Sequence, residues 1–444
     1  MKKTCIALIL IFSLVFSIPA SAFQINDYEL HHTAGMLVSL DTGDVLYSKN
    51  ITQKIHPAAI TSIMSAVVAC ENITDLKGTK IIYSKKANNK VLGTGLPILQ
   101  LKIGEEITAY DAVASMLIPS CADAAFALAE YVGGSIDSFV EMMNEKADAL
   151  GLENTNFTNP VGLDDKQHYT TAQDIYKLMV HALKNDIIKE LLSKSRYTVS
   201  ATNMSDERIR PTVNFMLNPN SDYYYRYAKG GKTGLSKDGR CIVSTASYNG
   251  YNYLAIVLGV KTSSGTRTDF NDCSNMFRWA FNNFEYKTVL EGNEPVTEAP
   301  VELSAETDHI SLCFEGGLKT LLPKEADAST VDFKINLNKE SFDAPINKGD
   351  ILGTADIYYA EEKLGTLNLV ATQSVKSSAV LVFARAAKNF FTSTFMKIVY
   401  VIIAAAAIIF LGSVIKMNMG KGGKRKVKYI PLRPDEFDDD IKED

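Results

Sequence analysis

From Ala58 to Cys70 the chain carries no charged side chain and few polar ones, and this stretch directly follows Pro57. Proline is tolerated in the first turn of a helix and disruptive further in, so the pattern predicts a helix that begins at Pro57 and Ala58. A helix apolar on every side cannot face water. Other elements must enclose it, which requires a layered globular domain with this helix at its centre. The chain is long enough for that: 444 residues, 46% hydrophobic and 22% charged, at roughly 100–200 residues per domain, predict two folded domains with additional segments.

The formal net charge of -5 is mild and offers nothing to a nucleic-acid partner. Six cysteines and six histidines are scattered, none at metal-ligand spacing, so no metal and no cofactor are expected. Lys2 and Lys3, the apolar run Ile6–Ile18 and Ala20-Ser21-Ala22 form the three parts of a secretory signal peptide over residues 1–22, with an uncleaved anchor as the alternative. Cleavage after Ala22 leaves Cys70, Cys121, Cys241, Cys273 and Cys313. An odd number cannot pair completely, and buried free thiols are expected.

Residues 35–50 give two apolar runs joined by Asp41-Thr42-Gly43-Asp44, a hairpin signal. Further on, Pro119-Ser120-Cys121-Ala122-Asp123 leads into an alanine-rich helical run, which by itself is simply a turn before a helix. Thr158-Asn159-Pro160-Val161-Gly162-Leu163 and His168 precede Thr170-Thr171-Ala172-Gln173-Asp174, a loop followed by a helix start. Ala228-Lys229-Gly230-Gly231-Lys232-Thr233-Gly234-Leu235 then opens a set of strands that includes residues 240–246 and 253–260. Lys-Thr-Gly alone is a weak signal, and its weight comes from this order.

Hairpin, buried helix, serine turn and Lys-Thr-Gly strand, taken together, resemble the serine-type D-alanyl-D-alanine carboxypeptidases among the penicillin-binding proteins. The resemblance implies an α/β (α+β) β-lactamase/transpeptidase-like domain over residues 23–290, with a central antiparallel sheet flanked by helices. In that family the buried helix opens with S-x-x-K, a nucleophile and a lysine one turn apart. Here Ala59 occupies the nucleophile position and Ser62 the lysine position. The second motif, S-x-N, keeps Ser120 but has Ala122 for asparagine, whereas Lys232-Thr233-Gly234 is whole. The resemblance implies that Lys232 and Thr233 meet a substrate or penicillin carboxylate. It also implies an oxyanion hole made by the amides at Ala59 and Leu235. Ser120, Lys232, Thr233, Gly234 and Leu235 are therefore the expected substrate-binding set, and no catalytic residue is intact. His168 is read as structural, since the family's mechanism has no histidine base.

Residues 291–300, polar and proline-bearing, are read as a linker, and 301–376 resemble the small β-domain that follows the peptidase domain in these enzymes. Residues 377–397 are expected as a juxtamembrane helix. Ile398–Ile415 is apolar and uncharged, which predicts one transmembrane helix over 398–416 with 417–444 as a basic, then acidic, tail. Lys421, Lys424, Arg425, Lys426 and Lys428 place that tail on the cytoplasmic side and the folded domains outside.

Three readings of function follow. The first is an inactive or impaired family member that binds peptidoglycan stem peptide, a β-lactam-like ligand or a cell-wall synthesis protein non-covalently. The second is an enzyme with a displaced nucleophile, Ser62, Ser65 or Ser120, and Lys232 as base. The third is a structural membrane protein with a vestigial groove.

Overall fold

The structure, a computed structural model, describes residues 25–261, 266–292, 294–327, 330–359 and 362–419. The signal peptide expected over 1–22 and the basic and acidic clusters of the tail lie outside these residues.

A five-stranded antiparallel sheet forms the frame, in the order Val45–Lys49, Ala34–Ser39, Tyr251–Val260, Gly239–Tyr248, Ala228–Ser236. The Lys-Thr-Gly strand is thus an edge. The expected hairpin is present, with a register shift between Leu37 and Val38. Its first strand is buried throughout, because it lies inside the sheet and both faces are covered. Met36, Val38, Val243, Leu254 and Ile256 join the larger, helix-rich core. Leu37, Ile242, Ala255 and Val257 pack on the other side with Phe270, Phe277 and Trp279 of the helix Thr268–Asn283. Period-two alternation therefore sorts one strand into two cores.

The uncharged stretch opens as a short 3-10 turn, Ala58–Thr61, and continues as the α-helix Ser62–Asn72. Residues 62–69 are all buried. The enclosing helices are Ala109–Leu117, Ala122–Gly133, Ile136–Ala149 and Ala172–Ala182. Three of these four begin at Thr108, Ser135 and Thr171, whose side-chain oxygens accept the amides of Asp111, Ser138 and Asp174. The helix that follows Ser120 ends at Gly134, which takes the left-handed conformation at φ 70°.

Among the described residues two compact units are distinguished: one through Gly292 with 316–334 and 356–367, the other comprising 294–315, 335–355 and 368–419. The stretch read as a linker is instead a strand, Pro295–Glu302, paired with His309–Phe314. Its polar composition hid an alternation that buries Ala299 and Val301. The small all-β part has the strand order Asp332–Leu337, Ile351–Tyr359, Glu362–Ala371, His309–Phe314, Pro295–Glu302, Phe342–Asp343. Strand His309–Phe314 buries Ile310, Leu312 and Phe314 in strict alternation. Helix Ala379–Thr392 buries none of its residues, and Arg385 within it pairs with Glu302 and Asp343. After Ser393 a second helix, Thr394–Met419, begins, in which Thr394–Met417 is long and apolar enough to cross a membrane.

Candidate active site

Three segments converge where the buried helix begins. Ala58 sits at φ 50°, an uncommon conformation for alanine, and turns the chain into the helix. Gly162 lies against it so closely that a Cβ there would stand 1.7 Å from the Ala58 carbonyl oxygen. On the strand side, a Cβ on Gly234 would stand 2.6 Å from both Ala58 Cβ and the Ala59 nitrogen. Both glycines are thus required by close backbone approach. The third residue of Lys-Thr-Gly is in place because it lets the edge strand touch the helix entry.

At that entry, Ala59 supplies a methyl group and no hydroxyl. Ser62 is buried, and its Oγ donates to the Ala59 carbonyl at 2.7 Å. Ser65, also buried, donates to the Pro160 carbonyl at 2.7 Å. Each hydroxyl of this helix is thus engaged by a backbone carbonyl, Ser62 within its own turn and Ser65 across to the loop at Pro160. Ala122, in the first turn of the following helix, is buried and has no side-chain amide to offer a ligand, while its backbone amide donates to the Pro97 carbonyl at 2.8 Å.

Lys232 and Ser120 do meet. Lys232 is 0% exposed, and its Nζ contacts Ser120 Oγ at 2.5 Å, the Leu117 carbonyl at 2.7 Å and the Met116 carbonyl at 2.9 Å. The sequence led us to expect an ammonium open to a ligand carboxylate. Its three contacts instead lie inside the protein, because the strand turns this side chain toward the end of helix Ala109–Leu117. Burial pushes its pKa down from 10.5 to about 7, against a small opposing effect of Cys121. Nζ donates to all three: the two carbonyls and the Ser120 hydroxyl oxygen. Ser120 is half-buried, at φ 62°. Thr233 is buried, with its Oγ1 3.4 Å from the Val213 carbonyl, whereas Leu235 is 60% exposed.

His168 is structural in its contacts. The Thr158 amide donates to Nδ1 at 3.1 Å, so the ring proton resides on Nε2, facing Thr61 Oγ1 at 2.8 Å. Burial, followed by the His56 charge, lowers its pKa to about 4. Between pH 6.5 and 4 the unfolded chain takes up a proton that the native chain refuses, so stability falls as pH falls. The loss through this group is about 3 kcal/mol. His168→Gln is expected to flatten that part of the urea-unfolding profile, and an unchanged acid slope would sink the assignment.

Two features escaped the sequence reading. Asp238, just past the Lys-Thr-Gly strand, accepts the His56 amide at 2.9 Å and its Nδ1 at 2.6 Å. Burial raises the Asp238 pKa, but the His56 hydrogen bonds outweigh it and hold the carboxyl below its usual range. The pair ties the residue before Pro57 to the edge strand. Asp123, buried beside Ala122, accepts the amides of Leu99 and Leu101 at 2.8 and 2.9 Å. All five cysteines of the described residues are free thiols, and no cluster suited to a metal ion occurs among those residues.

A family model described as D-alanyl-D-alanine carboxypeptidase matches residues 21–262, and one for the C-terminal domain of penicillin-binding protein 5 matches residues 284–377. Penicillin binding protein 5 from Haemophilus influenzae has the same fold, with a TM-score of 0.62 at 23% identity, covering 80% of this chain and all of that one. A peptidoglycan synthesis regulatory factor from Streptococcus pneumoniae, at 19% identity, gives 0.61 and covers 79% of this chain. The fold is therefore that of the low-molecular-mass penicillin-binding proteins, an α/β peptidase domain followed by an all-β domain.

Among relatives, the D-alanyl-D-alanine carboxypeptidase DacF of Bacillus subtilis (strain 168) is 28% identical over 391 residues, 86% of this chain and 97% of the relative. DacC of Escherichia coli (strain K12) is 27% identical over 352 residues, 77% of this chain and 84% of the relative. The chain belongs to the D-alanyl-D-alanine carboxypeptidase family of cell-wall metabolism.

Proposed function

We propose that this chain is a non-acylating member of its family, anchored in the membrane, whose groove binds the D-Ala-D-Ala end of a stem peptide without cleaving it. The observation that carries this reading is the methyl group of Ala59 at the helix entry, with Ser62 Oγ turned back onto the Ala59 carbonyl. A groove with neither nucleophile nor adjacent lysine keeps its backbone donors, since amides do not depend on side-chain identity. Ala59 and Leu235 would supply them, with Thr233 for the terminal carboxylate. Lys232 then acts through Ser120, whose turn it holds. Titration with a peptide ending in D-Ala-D-Ala and with its C-terminal amide tests the groove. The acid is expected to bind at least tenfold more tightly, about 1.4 kcal/mol. Equal affinities would remove the carboxylate site.

One contact favours residual chemistry: Ser120 Oγ lies 2.5 Å from a lysine poised near neutrality. Slow acylation mapped to Ser120 would support that second reading.

For the anchor, the apolar helix Thr394–Met417 and the basic residues that follow it support a single span with the tail inside. Protease added to intact cells is expected to digest the folded domains and spare the segment after Lys416. A tail cleaved from outside would refute this topology.

A further inference from the structure

The segment Tyr223-Tyr224-Tyr225-Arg226-Tyr227 leads into the Lys-Thr-Gly strand, and no role in the groove accounts for it. Four of its residues, Tyr224 to Tyr227, line a second cleft, of about 490 Å³, together with Tyr248, Arg278, Phe281 and Asn282. The volume lies in the range of small-ligand sites. Its rings do not vanish into a core: Tyr224 is 44% and Tyr248 40% exposed. Tyr227 and Tyr248 lie 4.4 Å apart between centroids, and Phe281 contacts both at 5.9 and 5.7 Å.

Two exposed guanidinium groups share the cleft, Arg226 over Tyr227 at 4.5 Å and Arg278 over Tyr225 at 5.6 Å. Arg226 also donates to the Tyr227 hydroxyl, and Arg278 donates to Asn275 Oδ1 at 3.1 Å. Among the described residues neither forms an ion pair with a carboxylate, and no Asp or Glu lines the cleft. The occupant that complements these walls has apolar ring faces to lie on tyrosine and a carboxylate for the arginine fork. A sugar ring presents such a face of C–H groups.

We propose that this cleft is a binding site for a carboxylated saccharide, separate from the peptide groove. The ring stacks on Tyr248 and Tyr224, and the carboxylate pairs with Arg226 and Arg278. Two sources share this chemistry: a peptide-free cell-wall glycan, whose muramic acid residues carry free lactyl carboxylates, and a uronic acid polymer.

The test is titration of the purified full-length chain in detergent. The ligands are peptide-free glycan oligomers, oligogalacturonate, chitin oligomers of equal length and polyglutamate. At least one carboxylated saccharide is expected to bind, and the tighter of the two identifies the source. Chitin, which keeps the N-acetyl sugar but lacks the acid, and polyglutamate, which has the acid without the sugar, are each expected to bind at least tenfold more weakly. The double variant Arg226→Gln, Arg278→Gln is expected to lose at least tenfold in affinity for the saccharide. Tyr248→Leu is expected to lose as much, whereas Tyr248→Phe keeps binding, with thermal melting confirming that each variant is folded. Chitin or polyglutamate binding as tightly as the acidic sugar, unchanged affinity in the double variant, or no binding of either carboxylated saccharide would overturn the assignment. Because the stem-peptide titration reads a different site, loss of either result leaves the other standing.

Discussion

Incubation with a labelled penicillin leaves the intact mass of the wild-type chain unchanged, whereas the triple variant Ala59→Ser, Ser62→Lys, Ala122→Asn gains one acyl group. The first half of this expectation rests on what stands at the helix entry. Removing the nucleophile of a serine hydrolase costs on the order of a millionfold in rate, with only binding and the oxyanion donors left. Here both nucleophile and base positions are occupied by side chains that cannot serve. The second half rests on the scaffold around them. Gly162 and Gly234 still bring loop, helix and edge strand into contact at Ala58 and Ala59. A serine at position 59 and a lysine at position 62 would lie one turn apart on the same face. The asparagine at 122 would restore a side-chain amide beside Ser120. An adduct on the wild-type chain, mapped to the peptides holding Ser62, Ser65 or Ser120, would overturn the non-acylating reading. Absence of acylation in the folded triple variant would show that the pocket differs beyond these three positions.

The architecture was legible where its signals are local. A charge-free run after Pro57 could only be an enclosed helix, and the order of hairpin, helix, serine turn and Lys-Thr-Gly strand carried the family. Less legible were features that depend on which distant groups meet. Lys232 looked like a groove residue, because nothing in its own strand says that two carbonyls at the end of a helix, Met116 and Leu117, will receive its Nζ. The His56–Asp238 pair joins residues far apart in sequence, so neither side chain marks the other. Residues 291–300 misled in a different way. Two prolines and several acids suggested a linker, yet Ala299 and Val301 supplied enough alternation for a strand inside a sheet. The cleft of tyrosines and arginines was visible as composition but not as a concavity, since Tyr248, Arg278 and Phe281 come from other elements.

Lys232 gives the second large effect, and it is read as a difference in pH dependence. Its native pKa of about 7 lies below the ordinary value of 10.5. Between those limits the unfolded chain keeps a proton that the native chain has released, so unfolding becomes harder as pH rises. The burial penalty is absent above 10.5 and complete below 7, on the order of 5 kcal/mol across the window, with about 2 kcal/mol of it between pH 7 and 9. Other groups titrate there with opposite sign. Burial raises the Cys121 and Cys241 thiols to about 12, so their ionisation favours the unfolded chain as pH increases. Lys232→Met leaves those thiols in place and removes the amine. The stability gap between wild type and variant, measured by urea unfolding at each pH, is therefore expected to shift in favour of the wild type from pH 7 to 9. The offset at any single pH also contains the loss of a donor to Met116 and Leu117, so the slope is the readout. Parallel profiles would mean that Lys232 stays charged in the native chain, and the amine could then not act as a base toward Ser120.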